Sequence, residues 1–328
     1  TLISVVQNSS AGTNTTDTFC SDIASFDMWV LLGGNPAVGG IWMDNVGNIV
    51  SNIFDPTISN PGTFTYTVTA SPCPPHSSYL VVNINNLPTV TLSGNDTICI
   101  GEFSDLSFTL TGLAPFNVDY TNGTNNYNVN LDANGHNASS GFPISHYPLI
   151  NTDYTIIGIT DANGCSNTGN GIADIIVNPL PNITINGGGW ICLGDSTDLA
   201  FTILDGTAPF TVTLNDGTAD SYWLMDSNGT VNGLPVTISP NNSTTYSLVE
   251  ATDANGCWNA LNGNATINIY ALPTALISGT TTICENENTP IAFTLQNGLP
   301  PYNVNYTINS IATNTLFNIS GLNTLMVS

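Results

Sequence analysis

Apolar and polar residues alternate along most of this chain, and clusters of Gly, Asn, Asp, Thr and Pro interrupt the alternation roughly every 8–12 residues. A period of two is the mark of a strand with one face in a core, and the interruptions are turn chemistry. In the middle of the chain the pattern predicts strands at Thr89–Leu92, Leu106–Thr111, Phe116–Tyr120, Tyr127–Leu131, Tyr154–Thr160 and Ile172–Val177. It predicts them again at Ile183–Ile185, Leu199–Leu204, Phe210–Leu214, Tyr222–Met225, Tyr246–Ala251 and Ala265–Ile269. Helical periodicity is nearly absent. The predicted class is all-β.

The two sets are one unit written twice. LPTVTLSGNDTIC (87–99) returns as LPNITINGGGWIC (180–192) and LPTALISGTTTIC (272–284), and TDYTIIGITDANGC (152–165) returns as TTYSLVEATDANGC (244–257). A period of just over ninety residues is too long for a solenoid coil and suits one complete small domain. The expected boundaries are therefore 1–86, 87–179, 180–271 and a truncated fourth repeat at 272–328. Each linker (Asn85–Pro88, Asn178–Pro181, Tyr270–Pro273) places a proline at the head of the following unit, favouring an extended, stiff joint.

About seven short strands with a cysteine pair per unit is the pattern of an immunoglobulin-like β-sandwich. The expectation is tandem immunoglobulin-like β-sandwich domains in an extended array. Phe108, Leu110, Phe116, Val118, Tyr154, Ile156 and Ile175 are expected to fill the core of the second unit. The first unit is a divergent member in which Trp42 is expected to cover the disulfide. Tyr66, Tyr154 and Tyr246 each open a penultimate strand, as a tyrosine corner would.

Composition changes the picture in one respect. The 328 residues include no Lys and no Arg against 23 acids, a formal charge of -23. Nucleic acid and anionic membranes are excluded as partners, because both require cations against phosphate. No apolar run is long enough to span a bilayer, so membrane insertion is not expected. Repulsion between units favours an extended, dispersed chain, and proteases that cut after Lys or Arg find no site. The chain opens without an initiating Met or a basic signal-peptide region, and reads as a segment of a longer protein.

The cysteines recur in phase, one pair per unit, which points to disulfides and an oxidising compartment. Pairing within units gives Cys20–Cys73, Cys99–Cys165 and Cys192–Cys257, leaving Cys284 over. This is the favoured connectivity. The rival staples neighbours across each linker as Cys73–Cys99, Cys165–Cys192 and Cys257–Cys284. Single cysteines without CxxC spacing make a metal site the weakest alternative.

Asp-x-Asn-Gly occurs at Asp132–Gly135, Asp161–Gly164, Asp226–Gly229 and Asp253–Gly256. Asp and Asn close turns through their own backbone and Gly supplies positive φ, so a turn is expected. Calcium at Asp161 and Asp253 is the sharper alternative, although the distal Glu of an EF-hand loop is missing. His76, His136 and His146 stand in no recognisable relation to a nucleophile, and no catalytic residues are assigned. Trp223 and Trp258 are candidates for stacking on sugars, with core or interdomain packing the expected use.

The LPTxxxSGTTTIC…APFxVxY…TDANGC wording resembles the repeats of giant cell-surface adhesins of Bacteroidetes, the SprB-like group associated with gliding motility. CSDIASFDMWVLLGG…GGIWMDNVGN…FDPTISNPGTFTYTV in the first unit resembles a second module of the same proteins. The resemblance implies export by the type IX secretion machinery, display outside the outer membrane, and a part in adhesion, gliding or filament building. The expected function is thus a non-enzymatic stalk or filament segment of a secreted adhesin. Its expected partners are other domains of the same long chain, surface glycans or neighbouring filament subunits. A carbohydrate- or cell-binding module is the alternative.

Overall fold

The computed structural model describes residues 8–308, 312–320 and 323–327. Contacts gather the chain into two compact units, Thr1–Val177 and Asn178–Ser328. The first unit holds two separate hydrophobic cores, and the second holds one large core over residues 183–267.

The first core is built on a five-stranded sheet in the order Thr15–Cys20, His76–Asn85, Gly62–Val68, Ile41–Met43, Ile49–Val50. Alternation in Gly62–Val68 sends Phe64, Tyr66 and Val68 inward, and His76–Asn85 contributes Leu80 and Val82. Phe54, Met28, Leu32 and Trp42 close the other side. Trp42 lies against Tyr66, ring centroids 5.0 Å apart. The Tyr66 hydroxyl donates to Ala37 O at 2.7 Å and accepts from Gly40 N at 2.9 Å. Tyr66 therefore ties its strand to an upstream loop, as a tyrosine corner does, and Trp42 packs on that tyrosine.

The second core lies between two layers. Thr89–Ser93, Ser104–Thr111 and Ile144–His146 form one; Asn126–Leu131, Phe116–Thr121, Thr152–Thr160 and Asn170–Asn178 form the other. The layers join at one edge, where Asn170 and Gly171 pair in parallel with Thr91 and Leu92. Strand Asp96–Cys99 also pairs with Asn170–Asn178. Phe108, Phe116, Val118, Tyr154 and Ile175 are buried as expected, while Leu110 and Ile156 are partly buried at the margin.

The third core repeats this plan. Asn182–Asn186, Thr197–Asp205 and Val236–Ile238 make one sheet; Gly189–Cys192, Asn264–Tyr270, Thr244–Thr252, Phe210–Asn215 and Asp220–Met225 make the other. Between Asn186 and Gly189 the chain changes sheets. Gly188 sits there at φ 121°, and a Cβ would stand 2.6 Å from Thr266 O. Only glycine fits such a crossing. Beyond it Gly189–Cys192 runs parallel to the last strand, Cys192 opposite Tyr270. In the fourth segment Thr274–Ser278, Thr289–Gln296 and Asn323–Val327 form one sheet, and Tyr302–Ile308 pairs with Ala312–Ile319.

The chain is all-β, made of tandem immunoglobulin-like β-sandwiches. Each strand expected in the two middle repeats is present, extended by a residue or two at its ends. Three per repeat were not foreseen: Asp96–Cys99, Ile144–His146 and Ser166–Asn167, and their counterparts Gly189–Cys192, Val236–Ile238 and Trp258–Ala260.

Candidate functional site

The most constrained site is the joint between the first and second sandwiches. Thr15–Cys20 pairs in parallel with His76–Asn85, placing Cys20 opposite Asn85, at the strand end that leads into Leu87-Pro88. Ser21 N donates to Asn85 O at 2.9 Å and fixes that end. From the other side comes the turn Asp161–Cys165. Asp161 Oδ1 accepts from Asn163 N at 2.9 Å and Cys165 N at 3.1 Å, and its Oδ2 accepts from Leu113 N at 3.3 Å. Asn167 Nδ2 then donates to Pro88 O at 2.9 Å, holding the turn against the linker. Cys20 and Cys165 are joined by a disulfide with Cα atoms 5.5 Å apart, across 145 residues. The linker is thus flanked by a covalent bridge and by a hydrogen bond to its own proline carbonyl.

This bond corrects the expected connectivity. Cys20–Cys73 and Cys99–Cys165 do not form, because Cys20 and Cys165 hold each other; the linker pairing Cys165–Cys192 falls for the same reason. The reason is strand direction. The unforeseen strand carries its cysteine alongside the last strand to the far end of the sandwich, whereas the Asp-x-Asn-Gly-Cys turn lies at the near end. In the third sandwich Cys192 faces Tyr270, the end of the last strand, while Thr244–Thr252 runs antiparallel to Asn264–Tyr270 and carries its turn past Asn264. A strand of seven to ten residues separates such ends by roughly 20–30 Å at 3.3 Å per residue, far beyond the Cα spacing of about 7 Å that a disulfide spans. Accordingly Cys192 does not bond Cys257; it is exposed and carries a free thiol, as does Cys284. With Cys20 bonded elsewhere, no Cys20–Cys73 bond exists for Trp42 to cover.

All four Asp-x-Asn-Gly segments adopt one turn. Asp132 and Asp226 accept from the backbone N–H groups two and four residues on, as do Asp161 and Asp253. These bonds stabilise the ionised form. The backbone N–H of His136 holds Asp132 below the usual carboxylate range, and the Thr230 hydroxyl and backbone do the same for Asp226. Asp161 and Asp253, for which calcium was the alternative to a turn, are buried, with one carboxylate oxygen accepting within the turn and the other from Leu113 N or Thr207 N. Among the described residues no group of three or more His, Cys, Asp or Glu side chains gathers as a metal centre would.

The three histidines lie in separate places. His76 Nδ1 accepts from Ala11 N at 2.8 Å, and His136 continues the Asp132 turn. His146 Nε2 is 2.9 Å from the Tyr120 hydroxyl, amid the rings of Tyr127 and Tyr154. Burial pushes the His146 pKa down and the Tyr120 and Tyr154 phenols up. The third sandwich replaces this polar pair with Leu214 and Ile238 at matching register positions. A function common to the repeats therefore does not use it.

Two aromatic surfaces remain. Trp223 packs against the third core, whereas Trp258 is more than half exposed, its Nε1 donating to Glu250 Oε2 at 3.0 Å. In the first sandwich a cleft is lined by Asp27, Trp29, Trp42, Asn52 and Tyr66. Trp29 Nε1 is buried without a hydrogen-bond partner.

No family model matches the chain, and no curated protein matches it. Solved structures do resemble it. The I67–I69 fragment of the titin I-band is 13% identical, with 73% of this chain and 87% of that one covered and a TM-score of 0.43. A structure of a 1.5-MDa bacterial ice-binding adhesin is 12% identical, covering 70% and 86%, with a TM-score of 0.36. Sidekick-1 immunoglobulin domains 1–5 are 11% identical, covering 94% and 72%, with a TM-score of 0.34.

Proposed function

We propose that the chain is a non-enzymatic spacer segment of an extracellular adhesion protein, its sandwiches serving to hold reach and direction. The observation that carries this proposal is the joint at Pro88, where Cys20–Cys165 and Asn167 fix one sandwich to the next. Locking a joint serves a spacer; a catalyst or a free receptor head has no need of it. A disulfide across so long a loop requires an oxidising compartment. The charge of -23 without a single cation keeps successive segments dispersed. Within this class, the wording of the repeats supports an SprB-like gliding adhesin of Bacteroidetes, exported by type IX secretion and displayed outside the outer membrane. Diffuse calcium binding by the acids fits that setting.

Small-angle scattering of the full chain, oxidised and reduced, tests the spacer. Reduction should broaden the distribution of distances between the first two sandwiches. An unchanged profile would remove the reason for the proposal. A glycan-binding role is the second reading, favoured by the cleft that Trp29, Trp42 and Tyr66 line. A glycan array probed with the full chain decides it: retention abolished by Trp29→Phe supports binding, and no retention leaves the spacer alone.

A further inference from the structure

We infer that the strand Asp220–Met225 of the third sandwich is a docking edge for another protein, which adds an extended segment to the sheet and sets a Lys or Arg against Asp216 and Asp220. The inference goes beyond the spacer role, giving this sandwich a place of attachment, and it uses residues of that sandwich alone.

Asp220–Met225 is the last strand of its sheet, paired on one side with Phe210–Asn215. Across the hairpin turn Asp216 N donates to Ala219 O at 3.2 Å. Bonded and non-bonded pairs alternate along an antiparallel ladder, so Leu214–Ser221, Val212–Trp223 and Phe210–Met225 are the bonded pairs. The N–H and C=O groups of Asp220, Tyr222 and Leu224 therefore point away from the sheet. Among the described residues no other backbone group bonds to them. Met225 is buried and Trp223 packs on the core, which leaves Asp220, Tyr222 and Leu224 on the opposite face. Tyr222 and Leu224 are both well over half exposed.

The second sandwich shows the same edge closed. In Asn126–Leu131 the positions of Tyr222 and Leu224 are taken by Asn128 and Asn130. Asn117 Nδ2 donates to Oδ1 of both at 3.0 Å, and Asn128 Nδ2 donates to Asn117 Oδ1 at 2.8 Å and Asp119 Oδ1 at 2.6 Å. Ala138 N also donates to Asn130 O at 2.9 Å, covering an outward carbonyl. Leu224 O accepts no such bond among the described residues.

Exposed edges are ordinarily guarded by charge, Lys above all. Here an aromatic and an aliphatic side chain, both at home in a strand, flank free main-chain groups, which is the chemistry of strand addition. Charge selects the occupant. Asp216 and Asp220 stand at one end of the edge, and the Thr218 hydroxyl with the backbone N–H groups of Ala219 and Thr218 holds Asp216 below the usual carboxylate range. The chain has no Lys or Arg to answer them, and a second copy would bring the same acids and a further charge of -23. The complement is a segment of another protein with a cation at that end and apolar residues beside Tyr222 and Leu224.

Hydrogen exchange of the full chain, read in pepsin peptides, tests this with two synthetic probes at millimolar concentration: Lys-Thr-Val-Thr-Val-Thr-Lys, and the same peptide with Glu for both Lys. The Lys peptide should slow exchange across Asp220–Met225 by at least about tenfold, less so at high salt, and leave Asn126–Leu131 unchanged. Tyr222→Asn/Leu224→Asn, copying the second sandwich, and Asp216→Asn/Asp220→Asn should each lose that protection. The Glu peptide on the unaltered chain should give none, a comparison that no variant's folding can disturb. Absence of protection by the Lys peptide, equal protection by the Glu peptide, or equal protection at Asn126–Leu131 would overturn the inference. So would protection that grows with chain concentration in the absence of peptide, which would make a second copy the occupant.

Discussion

Breaking the Cys20–Cys165 bridge should loosen two sandwiches at once, by an amount that follows from where its ends sit. If the first sandwich unfolds while the second stays folded, the bridge closes a loop from Cys20 to the linker at Pro88. That loop has about 70 residues, worth about 4.4 kcal/mol in the chain-entropy account. If the second unfolds alone, the loop runs from Asn85 to Cys165, about 80 residues and about 4.5 kcal/mol. With both unfolded the loop is the full separation of 145 residues, worth about 5 kcal/mol. The separate values exceed the joint value by about 4 kcal/mol, so the bridge couples the two unfolding events. Hydrogen exchange resolved by pepsin peptides can read this in the Cys20→Ala/Cys165→Ala chain and in the reduced wild type, which carries no cavity at Cys165. Opening free energies in Gly62–Val68 and in Thr152–Thr160 should each fall by about 4 kcal/mol. In the Cys20→Ala/Cys165→Ala chain, those in Phe210–Asn215, remote from the bridge in sequence, should hold still. A fall below about 1 kcal/mol in either sandwich would refute the reasoning, since it would mean the denatured loop was never constrained.

Further outcomes follow from single sites. Gly188→Ala should destabilise the third sandwich by about 1–3 kcal/mol in urea unfolding, since the added Cβ meets Thr266 O at a positive φ; Gly189→Ala, with open space at its Cβ but a φ of 133°, should cost less. Asp161→Ala leaves the N–H groups of Leu113, Asn163 and Cys165 without their acceptor, and should lower the midpoint for the second sandwich by about 1–3 kcal/mol. His146 has a folded pKa below its unfolded value of 6.5, so the unfolded chain binds the proton more readily. Stability of the second sandwich should therefore decline as pH falls below about 6.5, and a Tyr120→Leu/His146→Ile chain, copying the third sandwich, should lose that dependence. Asp132 and Asp226 act at lower pH: their depressed values supply stability present above about pH 4 and lost as pH falls through the folded pKa. Acid titration of Asp132→Asn should show a shallower loss in that window.

The alternating strands were legible because each buries every second side chain: Phe116, Val118 and Tyr120 face one core, and Phe210, Val212 and Leu214 another. The turns were legible because Asp-x-Asn-Gly is chemistry local to five residues. What escaped was Gly189–Cys192 and its relatives. Two glycines lead into it and a third opens it, Trp190 is exposed, and nothing in GWIC alternates. Its strand form comes from a parallel neighbour some eighty residues away in sequence, Asn264–Tyr270, information that a local window does not contain. The missed strand also decided the cysteine question. Without it Cys99 and Cys192 appear to sit beside their own turns, and the in-phase count suggests pairing inside each unit. The count was sound; the direction of one strand redirected the bonds. Ile144–His146 and Val236–Ile238 were missed more simply, being three residues long.

The Cys20–Cys165 bond has a consequence for pulling. Tension applied to the two ends of the chain enters at Cys20 and passes through sulfur to Cys165, bypassing the 145 residues between them. At about 3.5 Å per residue, roughly 500 Å of contour is sequestered. No stretching of the oxidised chain can draw on that slack, whatever unfolds inside the loop. A reductant would release it in one step, adding that contour to whatever the rest of the chain can yield.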